Sequence, residues 1–207
     1  MGKWTARLLL LLAFWCSIPA VGFSMPENQS PVYPGGREWQ PGEARYGVQI
    51  VRDLFITMDD GAVLEARLAY PTDVKTGERS TEQFPVLVEF TPYEDSNREQ
   101  LRHTFLTEHG YIVALVHPRG SGKSSGILEQ FTSRDGLDGK AVVDWAAKLE
   151  GSNGKVGFFG ASYPGALSLA TAAKVGKDSL LKAVLAPASV LVRSIARHGR
   201  TTAWAPF

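Results

Sequence analysis

The apolar and polar positions of this chain alternate or cluster in a way that predicts strands punctuated by helices. Val48 to Met58 and Val63 to Tyr70 are two β-rich runs joined by Asp59-Asp60-Gly61, the pattern of a hairpin. A polar stretch from Pro71 to Gln83 separates them from Val86 to Phe90, a short buried strand. Leu101, Phe105 and Leu106 then give the next segment a helical face, and Tyr111 to Val116 is a further strand. Between Asp138 and Glu150, Val142, Trp145, Ala146 and Leu149 share one helical face, which Gly151-Ser152-Asn153-Gly154 ends. The strand Val156 to Phe159 follows, then a helical pattern of small residues (Ala166, Leu167, Leu169, Ala170, Ala173), and a last strand from Leu181 to Ala186. Two strands followed by alternating strands and helices predict an α/β fold with a mainly parallel sheet.

The N-terminal flank has a different character. Residues 1–24 carry Lys3 and Arg7, an apolar stretch from Leu8 to Trp15 and then small residues, the three parts of a secretory signal. Ala20-Val21-Gly22 places cleavage before Phe23, with a site after Ser24 as the alternative. The apolar core is short for a membrane span, and the bulky residues before Cys16 argue against a lipid anchor. The expectation is export to a periplasmic or extracellular space without a stable membrane anchor. Residues 25–46, rich in Pro, Gly and polar side chains, read as an extended arm or linker.

Cys16 is the sole cysteine and would leave with the signal, which rules out intrachain disulfides, cysteine nucleophiles and thiolate metal sites in the mature chain. Losing Lys3 and Arg7 takes 22 basic residues to 20 against 21 acidic ones, a net charge of −1. Such a balance leaves no basic footprint for nucleic acid.

The stretch that carries chemistry runs from Lys155 to Gly165. A strand drops into Gly160-Ala161-Ser162-Tyr163-Pro164-Gly165 and a helix follows at once, the context of a nucleophile elbow. Small residues around Ser162 permit the sharp turn, and Pro164 suits a first helical turn. The alternative is an ordinary strand-turn-helix with a serine in it. His117-Pro118-Arg119-Gly120-Ser121-Gly122-Lys123-Ser124 ends like a phosphate-binding loop, but His117 stands where that motif needs glycine and no helical pattern follows. The four histidines form no spaced ligand cluster, so no metal or cofactor is expected.

Asp59-Asp60-Gly61-Ala62-Val63-Leu64, Thr91-Pro92-Tyr93, Gly110-Tyr111, Arg119-Gly120-Ser121-Gly122 with Ser125-Gly126, Asp135-Gly136 with Trp145, and the Ser162 motif occur in one order. In that order the chain resembles the X-prolyl dipeptidyl-peptidase-like and cocaine-esterase-like hydrolases, which include α-amino-acid ester hydrolases. The resemblance covers roughly residues 47–190. It implies an α/β-hydrolase fold and cleavage of an ester, amide or peptide substrate through an acyl-serine intermediate. It also implies Ser162 as nucleophile, with the backbone N–H of Tyr163 and the phenol of Tyr93 as oxyanion donors. One departure is His117, where the family usually has an acidic residue.

On this reading residues 47–207 are an incomplete catalytic domain, truncated after about the sixth strand, with 188–207 the start of a cap and the acid and His of the triad beyond Phe207. Asp178 and His198 follow Ser162 in the order Ser, acid, His. Asp178, however, lies at the far end of the helix that Ser162 begins, and His198 sits in the cap-like segment. A different class of function, a non-catalytic binding or interaction protein on the same fold, is the alternative. Acyl specificity and oligomeric state are not written in the sequence.

Overall fold

The computed structural model describes residues 42–93 and 101–187. All of them lie in the compact unit Gly42–Phe207. The signal-like segment, residues 25–41 of the arm, and residues 188–207 with His198 fall outside the described residues.

Six strands form one mixed sheet in the order β1-β2-β4-β3-β5-β6: β1 (Gly47–Thr57), β2 (Val63–Thr72), β3 (Phe84–Phe90), β4 (Ile112–Val116), β5 (Ser152–Phe159) and β6 (Leu181–Leu185). Strands β1 and β2 form the expected antiparallel hairpin, and β2 lies antiparallel to β4. From β4 through β3 and β5 to β6 the sheet is parallel. Each parallel crossover carries one of three helices, α1 (Thr104–Glu108), α2 (Ser133–Ala146) and α3 (Tyr163–Lys174).

Both faces of the sheet are buried. Leu64, Ala66, Leu68, Val86, Val88, Phe90, Ile112, Ala114, Val116, Val156 and Phe158 point to one side, where Val142, Val143 and Ala146 of α2 and Ala166 and Leu167 of α3 cover them. A smaller cluster of Ala69, Leu101, Val113 and Leu115 lies on the other, packed by Val48, Ile50 and Leu106. The central strands therefore read as continuous apolar runs instead of alternating ones.

Helix α2 begins five residues before the predicted Asp138 and ends at Ala146 instead of Glu150. Its start is set by Asp135, whose carboxylate accepts the Thr132 N–H at 3.0 Å. Gly136 and Gly139 lower the helical signal, yet close packing demands them. A Cβ on Gly136 would lie 2.6 Å from the Ala170 carbonyl oxygen, and one on Gly139 would collide with Thr171 Oγ1. The two helices thus meet nearly backbone to backbone, which fixes α3, and with it Ser162, against the α2 scaffold.

Candidate active site

Ser162 sits where β5 hands over to α3, at the carboxyl end of a central parallel strand. Its backbone lies at φ 59°, ψ −125°, a conformation that costs a non-glycine residue on the order of 1–3 kcal/mol. The strain is held from both sides: the Gly160 N–H donates to Leu185 O at 3.0 Å, and Ala166 N–H donates to Ser162 O at 3.0 Å. Gly160 is required by proximity, because a Cβ there would stand 2.5 Å from Pro164 Cβ. The Ser162 side chain makes no capping hydrogen bond and is exposed. It stands at the positive end of α3, where developing negative charge is favoured.

Tyr163 turns the other way. Its ring is buried and meets Phe131 edge to face at 5.1 Å. Burial, with the Asp135 carboxylate and the Tyr93 phenol nearby, pushes the Tyr163 phenol well above its ordinary value. Tyr93 leaves the carboxyl end of β3, the strand next to β5, so it emerges at the same end of the sheet as Ser162. It is half exposed, while Thr91 before it is fully buried.

Asp135 lies behind the elbow, and burial pushes its carboxyl up from 3.8 to about 7, against the opposing pull of the Thr132 N–H. A raised carboxyl favours the folded state most when protonated, so this contribution is full below about pH 4 and is lost as pH rises through about 7. Asp135→Asn keeps an acceptor for Thr132 and removes the titration. It is expected to flatten that fall and to stabilise the protein at pH 8 by about 2 kcal/mol, as urea unfolding at pH 5 and pH 8 would show.

The hairpin turn, the loop after β4 and α2 are tied by charge. The Arg119 guanidinium forks onto Asp60 at 2.8 and 2.9 Å and onto Asp138 at 2.5 and 2.9 Å. Arg134 donates to Asp138 at 2.8 Å and also pairs with Asp59. Hydrogen bonding from Arg119 holds Asp60 down at about 2. Motifs far apart in sequence therefore meet in one network, which gives their joint occurrence a physical reason.

The histidines differ sharply. His109 places Nδ1 at 2.7 Å from Phe105 O and Nε2 at 2.8 Å from Gly42 O, and these two acceptors raise its pKa. His117 is fully buried, between Thr91 O and Arg67. His103 faces Glu89 across 3.6 Å and meets Phe159 edge to face, three residues before Ser162. Neither the His103–Glu89 pair nor the Asp135–Tyr163 proximity is signalled by spacing in the sequence. Asp178 follows the C-terminal end of α3, whose 12 residues span about 18 Å. Among the described residues no group of three His, Cys, Asp or Glu could hold a metal ion. Nor is any described helix long and apolar enough to cross a membrane.

The sequence profile of the X-Pro dipeptidyl-peptidase (S15) family matches residues 60–206. The chain belongs to this family of hydrolases. Solved structures agree in fold. A CocE/NonD family hydrolase from Staphylococcus aureus aligns at 24% identity and TM-score 0.53, over 61% of this chain and 25% of that one. An α-amino acid ester hydrolase aligns at 24% identity and TM-score 0.55, over 75% and 28%. An aminopeptidase from a marine sediment archaeon, Thaumarchaeota archaeon, aligns at 22% identity and TM-score 0.58, over 80% and 29%. The sheet order and the helices are those of the α/β-hydrolase fold. The chain spans between a quarter and three tenths of the length of these three structures. No curated protein matches.

Proposed function

We propose that this chain carries the nucleophile and oxyanion site of an exported serine hydrolase that cleaves an ester or amide through an acyl-serine intermediate. The observation that carries the reading is Ser162 itself: a serine held in a strained turn between a central parallel strand and a helix, with its hydroxyl exposed and uncommitted to capping. Strain at such a position makes sense where it presents a reacting atom.

In the proposed step, Ser162 Oγ attacks the carbonyl carbon of the substrate while its proton passes to a base, and the carbonyl oxygen takes up negative charge. The backbone N–H of Tyr163 and the phenol of Tyr93 stabilise that charge. As the intermediate collapses, the protonated base hands its proton to the leaving oxygen or nitrogen, the alcohol or amine departs, and the acyl group stays on Ser162 until water releases it as the acid. The base and its acid partner are proposed to come from outside the described residues. His109 and His117 have both ring nitrogens committed, His103 turns its Nε2 toward the Glu89 carboxylate, and Asp178 is a helix length away from Ser162.

The test is covalent. A fluorophosphonate probe added to the complete gene product is expected to label one serine, and peptide mapping to place it at Ser162. A complete, folded product that takes no label would instead favour a non-catalytic binding protein on the same fold.

A further inference from the structure

We infer that His117 is a positioning residue for Tyr93, supplying the hydrogen bond that the backbone of its neighbour Pro118 cannot. The inference rests on the proposed role of Tyr93 at the oxyanion.

The argument starts in the ladder between β3 and β4. The Thr91 N–H donates to Val116 O at 2.9 Å. In a parallel pair, the next hydrogen bond would run from the N–H of residue 118 to the Thr91 carbonyl. Residue 118 is proline and has no N–H. Thr91 is fully buried, so its carbonyl would be left without a partner at a cost of one desolvated acceptor. The His117 side chain fills the gap, with Nδ1 at 2.9 Å from Thr91 O.

The contact with Arg67 fixes the ring's protonation. A carbonyl oxygen only accepts, so Nδ1 carries the proton. A guanidinium only donates, so Nε2, at 2.8 Å from Arg67 Nη2, must offer its lone pair. The ring is the neutral Nδ1–H form, held in that tautomer by Arg67. Arg67 is itself buried, and its Nε and Nη1 meet no hydrogen-bond partner, which leaves the His117 contact to anchor it. Gly122 closes over the ring, since a Cβ there would lie 2.5 Å from His117 Cδ2.

Fixing the Thr91 carbonyl aims Tyr93. It sets the plane of the Thr91–Pro92 peptide, and the proline ring then fixes the next φ. The Tyr93 N–H closes the turn by donating to Thr91 Oγ1 at 3.2 Å. Every polar group of Thr91 is thus engaged: N–H by β4, carbonyl by His117, hydroxyl by Tyr93. A phenol that must meet an oxyanion within hydrogen-bond distance depends on such a chain of supports.

Two substitutions divide the ring's functions. Asn places a donor near the position of Nδ1 and loses the contact with Arg67; Gln reaches Arg67 and loses the donor to Thr91. In the full chain, amide exchange at Tyr93 is expected to stay slow in His117→Asn and to rise about tenfold in His117→Gln. Adding Pro118→Ala to His117→Gln restores a backbone N–H opposite Thr91 O and is expected to slow the exchange again. The unsubstituted ring, observed by ¹⁵N NMR, should show Nδ1 protonated and Nε2 bare. An Nε2–H ring, or equal Tyr93 exchange in the Asn and Gln variants, would overturn the inference. If His117→Gln loosens Tyr93 but Tyr93→Phe leaves Ser162 labelling of the complete gene product unchanged, the positioning role stands and the oxyanion role of Tyr93 falls.

Discussion

Replacing Ser162 with alanine is expected to cut ester hydrolysis by the complete gene product by at least about 10⁴-fold while leaving the fold intact. The size follows from losing the only atom that forms the covalent intermediate; what remains is the oxyanion site and substrate binding, which leave a small residual rate. The fold should survive because the Ser162 hydroxyl caps nothing, and alanine keeps the Cβ that the turn already tolerates at φ 59°. Thermal unfolding should therefore shift by no more than surface substitutions do, within about 0.5 kcal/mol. Kinetics and a melting curve on the same preparation check both halves.

The second large effect is expected at Tyr93. Tyr93→Phe removes one hydroxyl from a half-exposed ring and should lower kcat by about 10²-fold with KM little changed. The split between the two constants is the informative part. A donor aimed at charge that exists only in the transition state contributes little to ground-state binding, whereas a residue that merely packs against substrate would raise KM. Tyr163→Phe serves as the contrast. Only the backbone N–H of Tyr163 is assigned to the oxyanion, and its phenol is buried against Phe131, so catalysis should be nearly unaffected.

Much of this arrangement is legible in the residues. Runs such as Val86 to Phe90 and Tyr111 to Val116 announce buried parallel strands, and the small residues around Ser162 announce the turn that strains it. What is not legible depends on partners distant in sequence. Gly136 and Gly139 look like helix breakers until Ala170 and Thr171 are seen against them. Glu65, Arg67 and Glu89 look like solvent-facing positions of their strands, yet all three are buried because the second face of the sheet is covered too. His117 reads as a departure from a family pattern. Its role emerges only when Pro118 is placed beside Thr91, since a missing backbone donor is a property of the ladder and not of either residue. The burial of Asp135, and hence its titration near neutrality, depends in the same way on how closely α2 and α3 approach.

The acyl-serine claim is tested most directly by trapping the intermediate. The complete gene product would be mixed with an activated ester, quenched in acid within the first turnover and digested, and the peptide carrying Ser162 weighed. The account predicts that this peptide gains the mass of the acyl group, and that Ser162→Ala gains nothing. Hydrolysis that proceeds with no acylated peptide, or with the acyl group on another residue, would contradict it.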